Sequence, residues 1–262
     1  MMESRIGMGR NTISAIFIAL FAMSNTAYAA HPLITDDTGT QGKGKAQFEV
    51  ISEYSHEKKD GVTTDSFVAP TIPVLSYGMT DASDIVFGVS YQRIKTSDSQ
   101  SRITTDGISD TSIEIKWRFA ENDGLSFALK PGITLPTGND EKGLGAGKST
   151  YRLFFITTKE IKPWAFHINL GYIKNENRVD ERMDLWHASV AGVVDVLKNL
   201  KAVANIGIQR DSDKASEVDP GFFLGGFIYS ISENLDFDIG FKEGFNNHGT
   251  DYSIPVGITW RY

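Results

Sequence analysis

The chain alternates. Between residues 111 and 119, Ile113, Ile115, Trp117 and Phe119 take every second position, with Ser112, Glu114, Lys116 and Arg118 between them. Successive side chains of a strand point to opposite faces, so this pattern builds a strand with one apolar and one polar face. The period returns at 125–135, 164–172, 235–245 and 252–262, and more weakly at 45–54, 67–77, 84–95, 149–159, 185–195, 201–211 and 220–231. Twelve such segments put about half of the chain in strands, against about 20–25% in a typical globular domain. No window after residue 30 holds a helical period over three turns.

The connections between these segments sort into two kinds. Those at 78–83, 121–124, 160–163, 196–200 and 232–234 are short, whereas those at 55–66, 96–109, 137–148, 175–184, 212–219 and 246–251 are mostly longer and more polar. Short and long loops alternating over an even number of strands are the pattern of outer-membrane proteins, with periplasmic turns and external loops. The expected fold is all-β: a transmembrane, antiparallel, up-and-down β-barrel of about 12 strands with periplasmic termini. In that orientation Tyr77, Trp117, Phe119, Phe127, Trp164, Phe166, Phe237, Trp260 and Tyr262 form a periplasmic aromatic belt. Tyr54, Phe67, Tyr91, Tyr172, Phe241, Phe245 and Tyr252 form an external one, as a lipid-facing barrel requires.

The first 29 residues differ. A weakly basic start is followed by an apolar run of 11 residues at 13–23 and by Ala27-Tyr28-Ala29, which together read as a cleaved secretory signal peptide. Residues 30–44 are polar and glycine-containing, and would either hang in the periplasm or tuck into the barrel as a small plug. Residues 45–262 are the barrel, and the expected location is the bacterial outer membrane. With no cysteine there is no disulfide, thiolate metal site or lipid anchor, and a net charge of −7 speaks against nucleic acid as a partner.

Beyond the general pattern, the chain resembles the outer-membrane family named for the meta-pathway of phenol degradation. The resemblance rests on His31-Pro32-Leu33, Asp36-Asp37-Thr38 and Thr40-Gln41-Gly42-Lys43-Gly44. It continues through Tyr77-Gly78-Met79-Thr80-Asp81, Gly107-Ile108-Ser109-Asp110 and Leu135-Pro136-Thr137-Gly138-Asn139. Ser109 stands where Gly is common in the family. The resemblance implies a transporter for hydrophobic or aromatic compounds.

The polar face must line the lumen, because a charge on the lipid face costs about 2–4 kcal/mol near the midplane. It assigns Glu49, Glu53, Glu114, Lys116, Arg118, Lys130, His167, Asn169, Asp236, Asp238, Lys242 and Arg261 to the wall. These residues make either a polar conduit or an ion-paired filling, and their balanced signs argue against strong charge selectivity. Segment 67–75 is apolar on both faces and holds Pro70 and Pro73. With Pro255 nearby after closure, these mark either a lateral opening or a tolerated bulge.

Enzyme chemistry is not indicated. Gly143 to Ser149 lacks the glycine spacing of a phosphate loop, and the five histidines show no zinc pattern. His187 has no placeable serine partner, and Asp211, Asp213, Glu217 and Asp219 lack the order of a calcium loop. No catalytic residue, metal or cofactor is expected. The expected partners are a small solute, membrane lipid and lipopolysaccharide, and the barrel-assembly machinery through the terminal Tyr262. The leading reading is passive uptake of small hydrophobic or aromatic molecules. Its alternatives are a non-conducting structural or surface barrel and, third, a lipid-modifying enzyme.

Overall fold

A computed structural model gives the fold for residues 31–59, 62–97, 101–245 and 250–262, with the backbone alone at 59 and 70–73. The signal peptide assigned to residues 1–29 lies outside these described residues. Twelve strands follow in order: β1(Ala46–Lys59), β2(Val62–Thr80), β3(Ser83–Ser97), β4(Arg102–Asn122), β5(Leu125–Leu135) and β6(Thr150–Ile161). They continue as β7(Trp164–Lys174), β8(Asp184–Leu197), β9(Leu200–Gln209), β10(Gly221–Ser232), β11(Leu235–Gly244) and β12(Tyr252–Arg261). Each pairs antiparallel with its chain neighbours, and β1 closes the barrel on β12 from Gln47↔Arg261 to His56↔Tyr252. The expected architecture is therefore the observed one.

Burial is inverted relative to a water-soluble protein. Along β7, His167 and Asn169 are 6% and 2% exposed, whereas Ile168 and Leu170 are 44% and 54% exposed. In water this would strand apolar area; against lipid tails it is the stable arrangement. Both aromatic belts contribute to the outer surface, with Trp117, Phe119, Trp164, Phe166 and Trp260 exposed at the short-turn end and Tyr54, Phe67, Tyr172 and Phe241 at the other. Three external tyrosines donate to carboxylates on the next strand: Tyr54 to Asp65 (2.9 Å), Tyr91 to Asp106 (2.7 Å) and Tyr172 to Asp184 (2.5 Å). An apolar ring with a wet hydroxyl suits the membrane boundary.

Two external connections differ from expectation. Residues 55–66 and 96–109 read as loops, but β1 runs to Lys59, β2 starts at Val62, β3 runs to Ser97 and β4 starts at Arg102. These hairpins rise beyond the apolar band, where no face needs to be hydrophobic. Threonine and β-branched residues such as Val62-Thr63-Thr64 and Ile103-Thr104-Thr105 therefore continue the ladder without the alternation that marks a spanning strand. At the opposite end, Asp123 and Gly124 join β4 to β5 with φ of 48° and 69°, the backbone of a tight type I′ hairpin.

The ladders are not equally regular. β6–β7 and β7–β8 pair without a break. β2, in contrast, carries two residues more than either neighbour. Glu49↔Val74 and Glu53↔Val68 bracket residues 50–52 on one side and 69–73 on the other, and the pairing with β3 shifts at Pro70/Ile72 and Ile72/Leu75. The excess is even, so Val68 and Val74 still face the same way as their partners Glu53 and Glu49.

Candidate functional site

Residues 31–45 enter the barrel at the short-turn end and lie across its interior. Gly44 N donates to Gly78 O (2.8 Å) and Gly78 N to Lys45 O (2.9 Å). Here Gly42 has φ 84°, and a Cβ on Gly78 would collide with the Gly42 backbone, so the crossing needs glycine at both positions. Next, Lys43 N donates to Asp81 Oδ1 (3.1 Å), Thr40 Oγ1 to Asp81 O (2.9 Å) and Gln41 N to Asp84 Oδ2 (3.0 Å). Thr38 N reaches Thr158 Oγ1 (3.1 Å), Asp36 N reaches Asn169 Oδ1 (2.6 Å), and Thr35 Oγ1 donates to Ser189 Oγ (2.6 Å). Asn205 Oδ1 accepts from Ile34 N (2.8 Å) and Thr35 N (3.0 Å), and His31 ends on Asp238. A coil has no ladder for its own N–H groups, so the wall supplies acceptors from β3 to β11.

All twelve wall residues assigned from the sequence lie on the inner or rim side. Glu114 sits between Lys130 (3.2 Å) and Arg152 (3.4 Å), and Glu53 pairs with Lys242 (2.8 Å). Arg261 joins Asp236 (2.5 Å) to Gln47 (3.2 Å). Arg118 sits at the rim, with Glu121 at 3.1 Å and Asp81 O at 3.2 Å. His167 shares a 2.9 Å hydrogen bond with Thr158, and Asn169 holds both N–H and C=O of Asp36. Among the described residues no side-chain hydrogen bond or ion pair reaches the Glu49 carboxylate. The interior also carries an apolar cluster that a list of polar positions misses: Leu33 packs with Ala191, Val203, Leu224 and Ile228.

Asp36 is the electrostatic centre. Its carboxylate takes Lys116 Nζ at 2.8 Å and Lys130 Nζ at 2.9 Å. Burial alone would raise its pKa, but the two ammonium groups outweigh burial and hold it below the usual carboxylate range. Asp37 adds a second carboxylate 3.7 Å from Lys116. The sequence reading missed Asp36 because the segment has no period. A local count carries the signal: at mid-barrel the inner faces of β4 and β5 offer Glu114 against Lys116 and Lys130, with Arg152 of β6 also on Glu114, an excess of cation that needs an anion from elsewhere.

Between the segment and the wall of β1–β5 lies a cavity of about 240 Å³. Leu33, Ile34, Ile51, Val74 and Val86 give it apolar sides; Gln47, Glu49, Asp84, Glu114, Lys116 and Lys130 give it polar ones. Pro255 sits on β12 opposite Glu53, in an unbroken register with β1. The side chains of Pro70 and Pro73 lie outside the described residues; their backbone forms the irregular stretch of β2.

The sequence motifs meet in space. Residues 40–44 dock on 78–81, as described above. A second pair closes on the external side, where Asp110 accepts from Gly138 N (2.8 Å) and Ala146 N (2.8 Å), and Thr137 Oγ1 donates to Ser109 O (3.1 Å). The loop 136–149 is thereby folded inward, with Leu144 buried against inward-facing Gly107, where a Cβ would come within 2.8 Å of Leu144 Cδ1. Gly143, in the stretch that superficially suggests a phosphate loop, caps a short 3₁₀ turn at φ 69°.

One expectation is corrected. His187 does have a serine partner, Ser189 Oγ at 2.8 Å, because residues two apart share a strand face. Ser189 is buried beneath Thr35 and already accepts its hydroxyl. In the acidic external loop, Asp219 pairs with Arg210 (3.0 Å), while Asp211 and Asp213 accept backbone N–H groups within the loop.

An inverted, closed barrel with a polar interior defines an outer-membrane β-barrel. The family model described as "Putative MetA-pathway of phenol degradation" matches residues 29–262, and the chain belongs to that family. Among solved structures, the NanC porin is 7% identical with a TM-score of 0.52, covering 81% of this chain and 98% of its own. The translocator domain of the autotransporter NalP from Neisseria meningitidis is 11% identical with a TM-score of 0.53, covering 84% and 89%. The β domain of the Bordetella autotransporter BrkA is 10% identical with a TM-score of 0.53, covering 84% and 100%. At these identities the likeness is one of fold. No curated protein sequence matches the chain.

Proposed function

We propose that the protein is an outer-membrane channel or transporter for passive uptake of small hydrophobic or aromatic molecules. The observation that carries this reading is the half-apolar, half-polar cavity of about 240 Å³ inside the barrel. A lumen serving only as structure has no reason to leave such a space beside an otherwise hydrogen-bonded filling. An apolar cavity of about 150 Å³ already accommodates benzene. The family's description supports an aromatic solute. The wall's paired charges give no dominant sign, which suits a neutral or weakly polar molecule.

In this reading solute enters past the inward-folded loop 136–149, loses water against Leu33, Ile51 and Val86, and is oriented by the polar side of the cavity. The segment 31–45 acts as a small plug that keeps the lumen from conducting ions freely. That same filling is the observation favouring the second reading, a non-conducting barrel of structural or surface role. Planar-bilayer recording with parallel uptake of an aromatic solute into vesicles separates the two. The transporter reading expects low ion conductance together with saturable uptake, and silence in both measurements overturns it.

A further inference from the structure

Resting on the transporter reading, we propose that an apolar solute leaves the barrel sideways, through the seam between β1 and β2, into the membrane. Three observations converge there. The axial way towards the short-turn end is crossed by the segment 31–45, which is tied to the wall from Asp84 on β3 to Asp238 on β11. Among the described residues, β2 is shifted in register by two residues at mid-barrel on both of its sides. β2 holds two extra residues against β1 between Glu49 and Glu53, and again against β3 between Phe87 and Ser90. The cavity abuts that interruption: Ile51 belongs to the stretch of β1 that pairs with β12 but has no partner on β2, and Val74 is the last paired residue of β2 before it.

The sequence explains why the seam cannot heal. Proline has no N–H, so Pro70 and Pro73 each remove a ladder donor. A closed barrel normally leaves no such gap, because lipid cannot satisfy unpaired backbone groups. Other register shifts adjoin the short turns, as at Arg118/Ala120 and Ser230/Ser232, or serve the Asp110 bulge at Val89/Tyr91. The β1–β2 seam joins an internal cavity to the lipid side. Its solute is a small amphiphile: an apolar body against Ile51, Val74 and Leu33, with a hydrogen-bonding group towards Glu49. Passive exit follows from partition, since an apolar body gains free energy in lipid that it lacks in the periplasm.

Two variants close the seam by independent means. Pro70→Val with Pro73→Val restores the missing donors, and deletion of residues 70 and 71 removes the two-residue excess while keeping every side chain on its face. Both are checked for folding by the gel shift between heated and unheated protein. Uptake is measured with two probes: N-phenyl-1-naphthylamine in intact cells, which fluoresces on reaching lipid, and benzoate in vesicles, which is counted in the aqueous interior. The wild-type protein should raise entry of N-phenyl-1-naphthylamine. Either folded variant should lower that gain tenfold or more and leave within twofold the slow benzoate entry that passes axially around the segment 31–45. Unchanged entry of N-phenyl-1-naphthylamine in a folded variant overturns lateral exit and leaves the transporter reading standing. An equal fall for both probes also overturns it, since the seam then serves only a shared axial path. If the wild-type protein moves neither probe, both readings fall.

Discussion

The walls formed by β6–β9 and by β1–β3 are built from the same two-residue alternation, yet they do opposite things to what lies between them. The β6–β9 wall grips. Its ladders are unbroken through the membrane, and Thr158, Asn169, Ser189 and Asn205 point inward to hold Asp36, Thr35 and Thr38, while Val203 and Ala191 pack on Leu33. The β1–β3 wall binds it only near the short turns, through Asp84. Above that it faces the segment across a cavity, its ladder is interrupted, and among the described residues no side-chain hydrogen bond or ion pair reaches Glu49. Alternation decides which face is polar; short polar side chains at bonding distance, as against valine and isoleucine, decide whether that face binds or yields. At mid-barrel the segment is thus held by β4–β9, and the cavity lies on its β1–β3 side, while its ends are tied to Asp84 and Asp238.

The largest change should come from cutting the central tether. Asp36→Ala leaves Lys116 and Lys130 buried without their shared carboxylate, Lys116 keeping Asp37 at 3.7 Å and Lys130 keeping Glu114 at 3.2 Å. Breaking a buried pair in this way typically costs about 3–5 kcal/mol. The expected result is release of the segment, seen as at least a tenfold rise in single-channel conductance and as new protease cleavage within 31–41. A variant that stays silent and protected would show that the β6–β9 grip alone suffices.

Next comes the grip itself. Asn205 accepts from two backbone N–H groups and donates to Thr35 Oγ1 (2.7 Å) and Val190 O (2.9 Å). Asn205→Ala orphans buried donors, so a loss of about 1–3 kcal/mol is expected. Amide hydrogen exchange at Ile34 and Thr35 should accelerate accordingly, with the barrel's heat-induced gel shift little changed. Equal exchange in both proteins would remove Asn205 from the set of anchors.

How much of this contrast the sequence discloses follows from periodicity. Every strand position has only two facings, so Glu114, Lys116, Lys130, Asn169 and Asp238 could be placed on the inner wall from their spacing alone. The closing pair β1–β12 is similarly legible, because loop alternation over an even strand number leaves those two edges to meet. The segment 31–45 is not legible this way, since a coil has no period and its acceptors lie up to 207 positions away, as between His31 and Asp238. Yet the motifs carrying the family resemblance proved to be one another's contacts: residues 40–44 against 78–81, and Asp110 against Gly138. The external hairpins of β1–β2 and β3–β4 escaped because polar strands above the membrane need no apolar face.

Paired truncations sharpen the comparison at smaller scale. Val203→Ala removes methyls packed on Leu33 in the β9 wall and should cost about 1–2 kcal/mol, read as a lower unfolding midpoint. Val74→Ala removes the same atoms beside an existing cavity, where fewer contacts are lost, and should cost less than half as much. Equal losses would mean that the β1–β3 side is as tightly packed as the other.

The smallest expected effect is that of pH across the ordinary range, and its absence there is informative. The Asp36 carboxyl is pushed up by burial and pulled further down by Lys116 and Lys130, so docking lowers its pKa from the ordinary 3.8. A group that binds its proton less tightly when docked favours docking at high pH. Its contribution is therefore complete above about pH 4 and fades as the pH falls towards the lowered value, by roughly tenfold per pH unit. Conductance should stay flat from pH 8 to 5 and climb only below about 4. The Asp36→Ala variant should lose that acid-induced rise, because its segment is already released. A climb between pH 7 and 5 in the wild-type protein would instead remove Asp36 as the controlling contact.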